Sequence, residues 1–239
     1  MKFGFLIEPP FNYRSADLKI TGCDVELAQT VLPMAGIRDL ELVETEFSHL
    51  LPGVAEGRWR MTTGVFVTEE RRAIVSFSRP IWALSDGLLV RRHNPKHLTG
   101  YRSMGRNAEC IVAVIRNQVQ YQSVLDFGAS HDRVLVCETY EDAARAVLVG
   151  RADAYVSVSR AHHAYLERNA DLDLEVVLVP PHEKKAALGA FAFSKSDDEL
   201  KKALDDALLA YLGSDHHRSM MRRFGLTDAE MACVASDAG

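Results

Sequence analysis

Short apolar, β-branched runs alternate along this chain with longer stretches whose apolar positions recur every three or four residues, a pattern that predicts an α/β protein. Residues 3–7 form the first strand-like run, stopped by Pro9-Pro10. Residues 24–35 read as a helix with Val25, Leu27, Ala28, Val31 and Leu32 on one face. A strand at 40–43, a helix at 47–56 ending on Gly57 and a strand at 61–67 follow. A further strand at 88–90 runs into Arg91, Arg92 and a polar segment.

Beyond that segment the alternation begins again. Strands are predicted at 111–115, 134–136, 154–158, 174–179 and 188–193, with helices at 118–125, 139–149 and 160–168 between them. Thr139 with Asp142 three residues on is a capping signal, and Gly150 is a stop. Ser196 is expected to cap a helix over 197–212, with Glu199 completing a capping box and Gly213 beyond its end. The Leu/Ala stripe at 200–212 reads as core packing. Gly57-Arg58 and Gly150-Arg151 each stand between a helix and an apolar strand, an internal echo that suggests two α/β lobes of related plan. In such lobes ligands bind at the carboxyl ends of strands, and a cleft between lobes is a favoured site.

A length of 239 residues suits one large domain or two modest ones. Net charge is −5 with acids and bases interspersed, which argues against a nucleic-acid binder. Cys23, Cys110, Cys137 and Cys233 lie far apart and read as small apolar side chains; nothing in their spacing asks for a disulfide or a metal. No apolar run approaches the ~18–20 residues that span a bilayer, so no membrane insertion is expected. Met1-Lys2 leads straight into the first strand, too short a run for a secretory signal, so the chain is expected to be cytoplasmic if Met1 is its native start, or a form stripped of its leader.

One stretch concentrates chemistry. Residues 64–80, GVFVTEERRAIVSFSRP, place a threonine, two acids and two arginines between apolar runs, which reads either as a solvated turn or as an anion site at a strand end. Adjacent histidines at His162-His163 and His216-His217 point about 100° apart on a helix and cannot chelate from one face, so they are expected at the surface.

Several segments, in order, resemble the family 3 extracytoplasmic solute-binding proteins that serve amino-acid ABC transporters. Glu8-Pro9-Pro10-Phe11 is similar to an opening Tyr-Pro-Pro-Phe, and residues 21–28, TGCDVELA, to a Gly-Phe-Asp-Val-Asp-Leu-Ala helix start. Residues 47–52 (FSHLLP) with Gly57-Arg58, residues 64–71 with Phe77-Ser78-Arg79-Pro80, residues 150–154 (GRADA) and residues 222–225 (RRFG) follow in family order. The resemblance implies a two-lobed, periplasmic-binding-protein-like (type II) α/β fold, hinged by strands crossing near 89–92 and 187–190 and closing on a small ligand. Lobe 1 would then comprise residues 1–90 and 188–239, and lobe 2 residues 91–187. It also implies a carboxylate-bearing metabolite as ligand, an ABC transporter permease as partner, a periplasmic location, a monomer and no cofactor or metal. In the family the arginine at the position of Arg71 forks onto the ligand carboxylate, chemistry that guanidinium geometry suits independently. Gly64, Phe66 and Thr68 would supply further donors, with Asn117 and Gln118 closing over the anion. Arg72 is expected to be solvated or ion-paired.

The departures matter as much. Amino-acid binders usually carry an ammonium-binding aspartate where this chain has Val158, after Ser157. Either a neighbour such as Glu8 takes that role or the ligand is not an ordinary α-amino acid, since burying an unpaired ammonium is costly. Glu8 itself replaces a stacking aromatic, Phe66 a hydroxyl residue, and Arg116-Asn117-Gln118 an Arg-Gly-Thr loop. Phe11, Phe66 and Trp82 read either as aromatic walls of the cleft or as core. Two alternatives stand beside the transporter reading: a lyase or dehydratase of the same fold, with Glu8 as general acid or base, and a cytoplasmic metabolite sensor.

Overall fold

The computed structural model describes residues 1–235, with side chains as far as Ala232. In chain order the first elements are β1 (Lys2–Phe5), β2 (Tyr13–Arg14), β3 (Ile20–Thr21), α1 (Cys23–Met34), β4 (Glu41–Glu44), α2 (Leu50–Ala55) and β5 (Met61–Phe66). Then come α3 (Glu69–Arg72), β6 (Ser76–Phe77), β7 (Trp82–Leu84), β8 (Asp86–Arg91), α4 (Tyr101–Arg106), β9 (Val112–Ile115) and α5 (Val119–Asp126). The rest are β10 (Val134–Cys137), α6 (Tyr140–Leu148), β11 (Ala154–Val158), α7 (Ser159–Arg168), β12 (Leu174–Leu178), β13 (Ala187–Phe193), α8 (Asp198–Tyr211), α9 (Asp215–Arg223) and α10 (Asp228–Ala235).

The chain forms two compact units, one from Met1–Ala83 and residues 187 onward, the other from Leu84–Ala186. The first passage between them falls before β8, earlier than the expected 89–92. The reason is that β8 pairs along its length with β11 on one side and β12 on the other, so it belongs wholly to the second sheet.

In the first unit the strands run in the order β4-β1-β5-β13-β6, with β7 also on β13. β1 is parallel to both β4 and β5, whereas β13 returns antiparallel beside β5. β5 is apolar or small at every position because it is central and covered on both faces. One core cluster joins Leu50, Val54, Trp59, Val65, Phe77 and Ala192, with Phe47 packed against it. Leu200, Leu204, Ala207, Leu208 and Tyr211 of α8 are buried, which is the core stripe expected of that helix.

In the second unit the order is β10-β9-β11-β8-β12, the first three strands parallel and β8 antiparallel to its neighbours. Period-2 alternation divides β11 cleanly. Ala154 and Val156 join Leu88, Val90, Tyr101, Val112 and Val114 in one core cluster, while Tyr155 packs edge-on against Tyr140 and His162 on the other face.

Several local expectations shift. The cap of α8 is Asp197, not Ser196: its side chain accepts from Leu200 N, and its carboxylate is held by a two-pronged Arg60 at 2.6 and 3.0 Å. The predicted helix at 47–56 begins as a single 3₁₀ turn, Phe47–His49, and only becomes α-helical at Leu50. The short strands β2, β3, β6 and β7 and the helices α3, α4, α9 and α10 carry too few periodic positions to stand out in the sequence.

Candidate functional site

β5 delivers the charged stretch that the sequence singles out. After Phe66 the chain leaves the sheet, and Thr68 becomes the N-cap of α3, its Oγ1 accepting from Arg71 N at 3.2 Å. The hydroxyl is thus structural, starting the single turn that brings Arg71 back over the strand end. Arg71 Nη1 donates to Phe66 O at 2.8 Å, and the guanidinium lies 5.4 Å from the Phe47 ring centroid. Arg71 is only 8% exposed, whereas its neighbour Arg72 points to solvent with Glu69 at 3.7 Å. Burial lowers the Arg71 pKa to about 10, with Glu70 opposing the shift, so the buried cation persists at neutral pH.

β5 is also held by a residue that the sequence pattern marks only as part of a helix start. Asp24, in the first turn of α1, is buried and collects three donors from outside its own helix: Thr63 Oγ1 at 2.6 Å, Gly64 N at 2.8 Å and Trp82 Nε1 at 3.0 Å. Asn12 extends the chain by donating to Thr63 Oγ1 at 2.8 Å. Desolvation raises the Asp24 pKa, and the bonds from Thr63, Trp82 and Gly64 pull it back. The Gly64 N–H, expected to face an anion, is therefore committed to Asp24. Its missing side chain matters as well, because a Cβ there would fall 2.7 Å from the Trp82 ring, and one at Gly189 would fall 1.8 Å from it.

Trp82 is thus wedged between two glycines and tied by its indole N–H. Phe11 and Phe66 both pack on it at 5.6 Å between centroids, so the three aromatics form one cluster, and all are buried. Glu8 is buried beside them in sequence, 7% exposed, in a turn closed by Glu8 N to Asn12 O at 2.8 Å and Phe11 N to Glu8 O at 2.9 Å. Arg71, Thr68, Phe66, Gly64, Phe11, Trp82 and Glu8 all belong to the first unit.

The remaining predicted residues belong to the second unit. Asn117 takes a left-handed backbone (φ 63°), which an asparagine tolerates where a glycine is the usual choice. Arg116 turns out to Glu138 at 2.6 Å, and Gln118 becomes the N-cap of α5 with its side chain 3.5 Å from Ser157 Oγ. Val158 ends β11, directly opposite Asp86 in the antiparallel ladder.

Two expectations fail at the histidines. His162 and His217 are fully buried; only His163 and His216 of each pair are exposed. The Tyr140 hydroxyl lies 2.6 Å from His162 Nδ1, and Nε2 lies 3.3 Å from Gly87 O, so the tautomer with Nε2–H satisfies both. Burial lowers the His162 pKa to about 3 and that of His217 to about 4. Of the cysteines, Cys23 and Cys110 are buried and Cys137 half-buried, all three free thiols; the side chain of Cys233 lies outside the described residues.

Two sheets built on this plan, one holding a buried cation at the end of its central strand, define the type II periplasmic-binding-protein fold. The profile described as "Bacterial extracellular solute-binding proteins, family 3" matches residues 1–226, and the chain belongs to that family. It is 24% identical over 233 residues to a probable amino-acid ABC transporter periplasmic-binding protein, y4tE, of Sinorhizobium fredii, covering 95% of this chain and 77% of that one. Among solved structures it resembles EhuB in complex with hydroxyectoine (TM-score 0.86, 23% identity, 98% of this chain and 93% of that one). It also resembles the ancestral amino acid-binding protein AncCDT-1, described as a precursor of cyclohexadienyl dehydratase (TM-score 0.80, 22% identity, 94% of each chain). The family is one of binding proteins, and the lyase reading built on Glu8 gives way to it.

Proposed function

We propose that this protein binds a small carboxylate-bearing solute, an amino acid or a compound like one, as the substrate-binding component of an ABC transporter. The observation that carries the reading is Arg71: a cation 8% exposed, held at the carboxyl end of β5 by a capped turn. A guanidinium in that setting pairs strongly with a carboxylate because little water competes. Phe66, Phe11 and Trp82 supply a stiff apolar wall beside it; within the second unit, Gln118, Asn117, Ser157 and Val158 lie at the ends of β9 and β11, where such sheets take ligands. Thr68 acts through the turn, and Gly64 through Asp24 and Trp82. Family membership supports a transporter permease as partner, lobe closure on the ligand and an extracytoplasmic working place.

A thermal-shift screen of amino acids, their deaminated and N-modified analogues and small organic acids tests the reading, since a ligand that binds only the folded state raises Tm by mass action. A carboxylate hit whose shift disappears in Arg71→Ala is the expected result. Hits confined to compounds without a carboxylate would refute it.

A further inference from the structure

The carboxyl edge of the second unit's sheet holds a buried acid that is already neutralised. β9 ends at Ile115 and β11 at Val158, while antiparallel β8 begins at that same edge with Asp86, opposite Val158 and on the same face. Asp86 is 3% exposed and is the one buried carboxylate of this unit among the described residues. Its Oδ2 accepts from the Tyr101 hydroxyl at 2.5 Å and pairs with Lys184 Nζ at 2.6 Å. Its Oδ1 accepts from Gln120 Nε2 at 2.7 Å. Lys184 Nζ also donates to Ser123 Oγ at 2.7 Å and lies 5.4 Å from the Tyr101 ring centroid, with its side chain 22% exposed.

Ligands of open α/β sheets sit at the carboxyl ends of the strands. An incoming ammonium would need a carboxylate there, because an ammonium stripped of water without a partner is costly. In this unit the carboxylate at that edge is surrounded by a lysine, a phenol and an amide of the protein's own. We infer that Lys184 is a built-in ammonium for Asp86, and that the solute taken by this protein is a carboxylate without a free α-ammonium group. The inference rests on the function proposed above and narrows its ligand class. Tyr101 and Gln120 act as positioning residues: they hold the Asp86 carboxylate where Lys184 pairs with it.

The test is isothermal calorimetry on the full chain with L-glutamine, L-arginine and L-leucine, each against its 2-hydroxy, 2-oxo and Nα-acetyl counterparts, in wild type and Lys184→Met. In the wild type an ammonium-free counterpart is expected to bind about 10-fold or more tightly than its parent. In Lys184→Met the ratio should swing toward the parent by a similar factor, as Asp86 is released to pair with the ligand ammonium. Tighter binding of a parent amino acid by the wild type, above all if Glu8→Gln abolishes it, would overturn the inference, as would an unchanged ratio in Lys184→Met. If Lys184→Met does not fold, Lys184→Gln replaces it, and the wild-type ratio decides alone if neither does. Equal loss of all carboxylates in Arg71→Ala leaves the proposed function standing whichever way the ratio falls. No binding by any of these carboxylates defeats that function and the inference with it.

Discussion

The Trp82 indole donates to the buried Asp24 carboxylate at 3.0 Å, although the two residues come from a strand and a helix far apart in the chain. Asp24 also holds Gly64 N and Thr63 Oγ1, so a single side chain joins α1, β5 and the aromatic cluster. Asp24→Ala leaves three buried donors without an acceptor, at about 1–3 kcal/mol for each that stays dry. A loss on the order of 2–4 kcal/mol in urea unfolding is expected. Asp24→Asn keeps one acceptor oxygen but turns an amide N–H₂ toward other donors, and should fall between wild type and alanine.

Gly189 tests the seat of Trp82 from the other side. A Cβ there would lie 1.8 Å from the indole ring, so Gly189→Ala must push the ring out of place. Overpacking of this kind costs about 1–3 kcal/mol. The near-UV circular dichroism of the tryptophans should change, and carboxylate binding should weaken with Arg71 intact. An unchanged spectrum would show that the ring keeps its place and would contradict this account of its seat.

The buried histidines predict an acid-sensitive fold. His162 is neutral in the native state down to about pH 3 and His217 to about pH 4, whereas in the unfolded chain both protonate near pH 6.5. The unfolded state therefore binds more protons between these limits, and stability falls as pH drops from about 6.5 toward 4. His162 is faced by Tyr140 of α6, Tyr155 of β11 and the neighbouring His163, none of which offers a carboxylate to stabilise the imidazolium. Urea unfolding at pH 7 and pH 5 should show this loss, and His162→Gln should reduce the difference between the two. A pH-independent midpoint would contradict it.

Much of this is legible in the sequence. β5, β11, α6 and α8 stand out because their apolar spacing is regular, and the Thr139 cap is made as expected, with Oγ1 accepting from Asp142 N. Arg72 is exposed and paired with Glu69, as expected, while Arg71 beside it is buried. What stays hidden is what depends on long-range packing. Nothing local says that Asp24 will collect donors from β5 and Trp82, or that Lys184 will reach Asp86. The one available signal for Asp86 is an acid set inside the apolar run 81–90. His162 escapes a reading that treats adjacent histidines as a pair, because helix geometry buries one and exposes the next.

The central claim is that Arg71 anchors the ligand's carboxylate, and calorimetric titration of the best carboxylate ligand into wild type, Arg71→Ala and Arg72→Ala tests it most directly. Arg71→Ala should lose on the order of 2–5 kcal/mol, ~30-fold or more in Kd, while Arg72→Ala stays near wild type. Equal affinity in wild type and Arg71→Ala, with both proteins folded, would contradict the account.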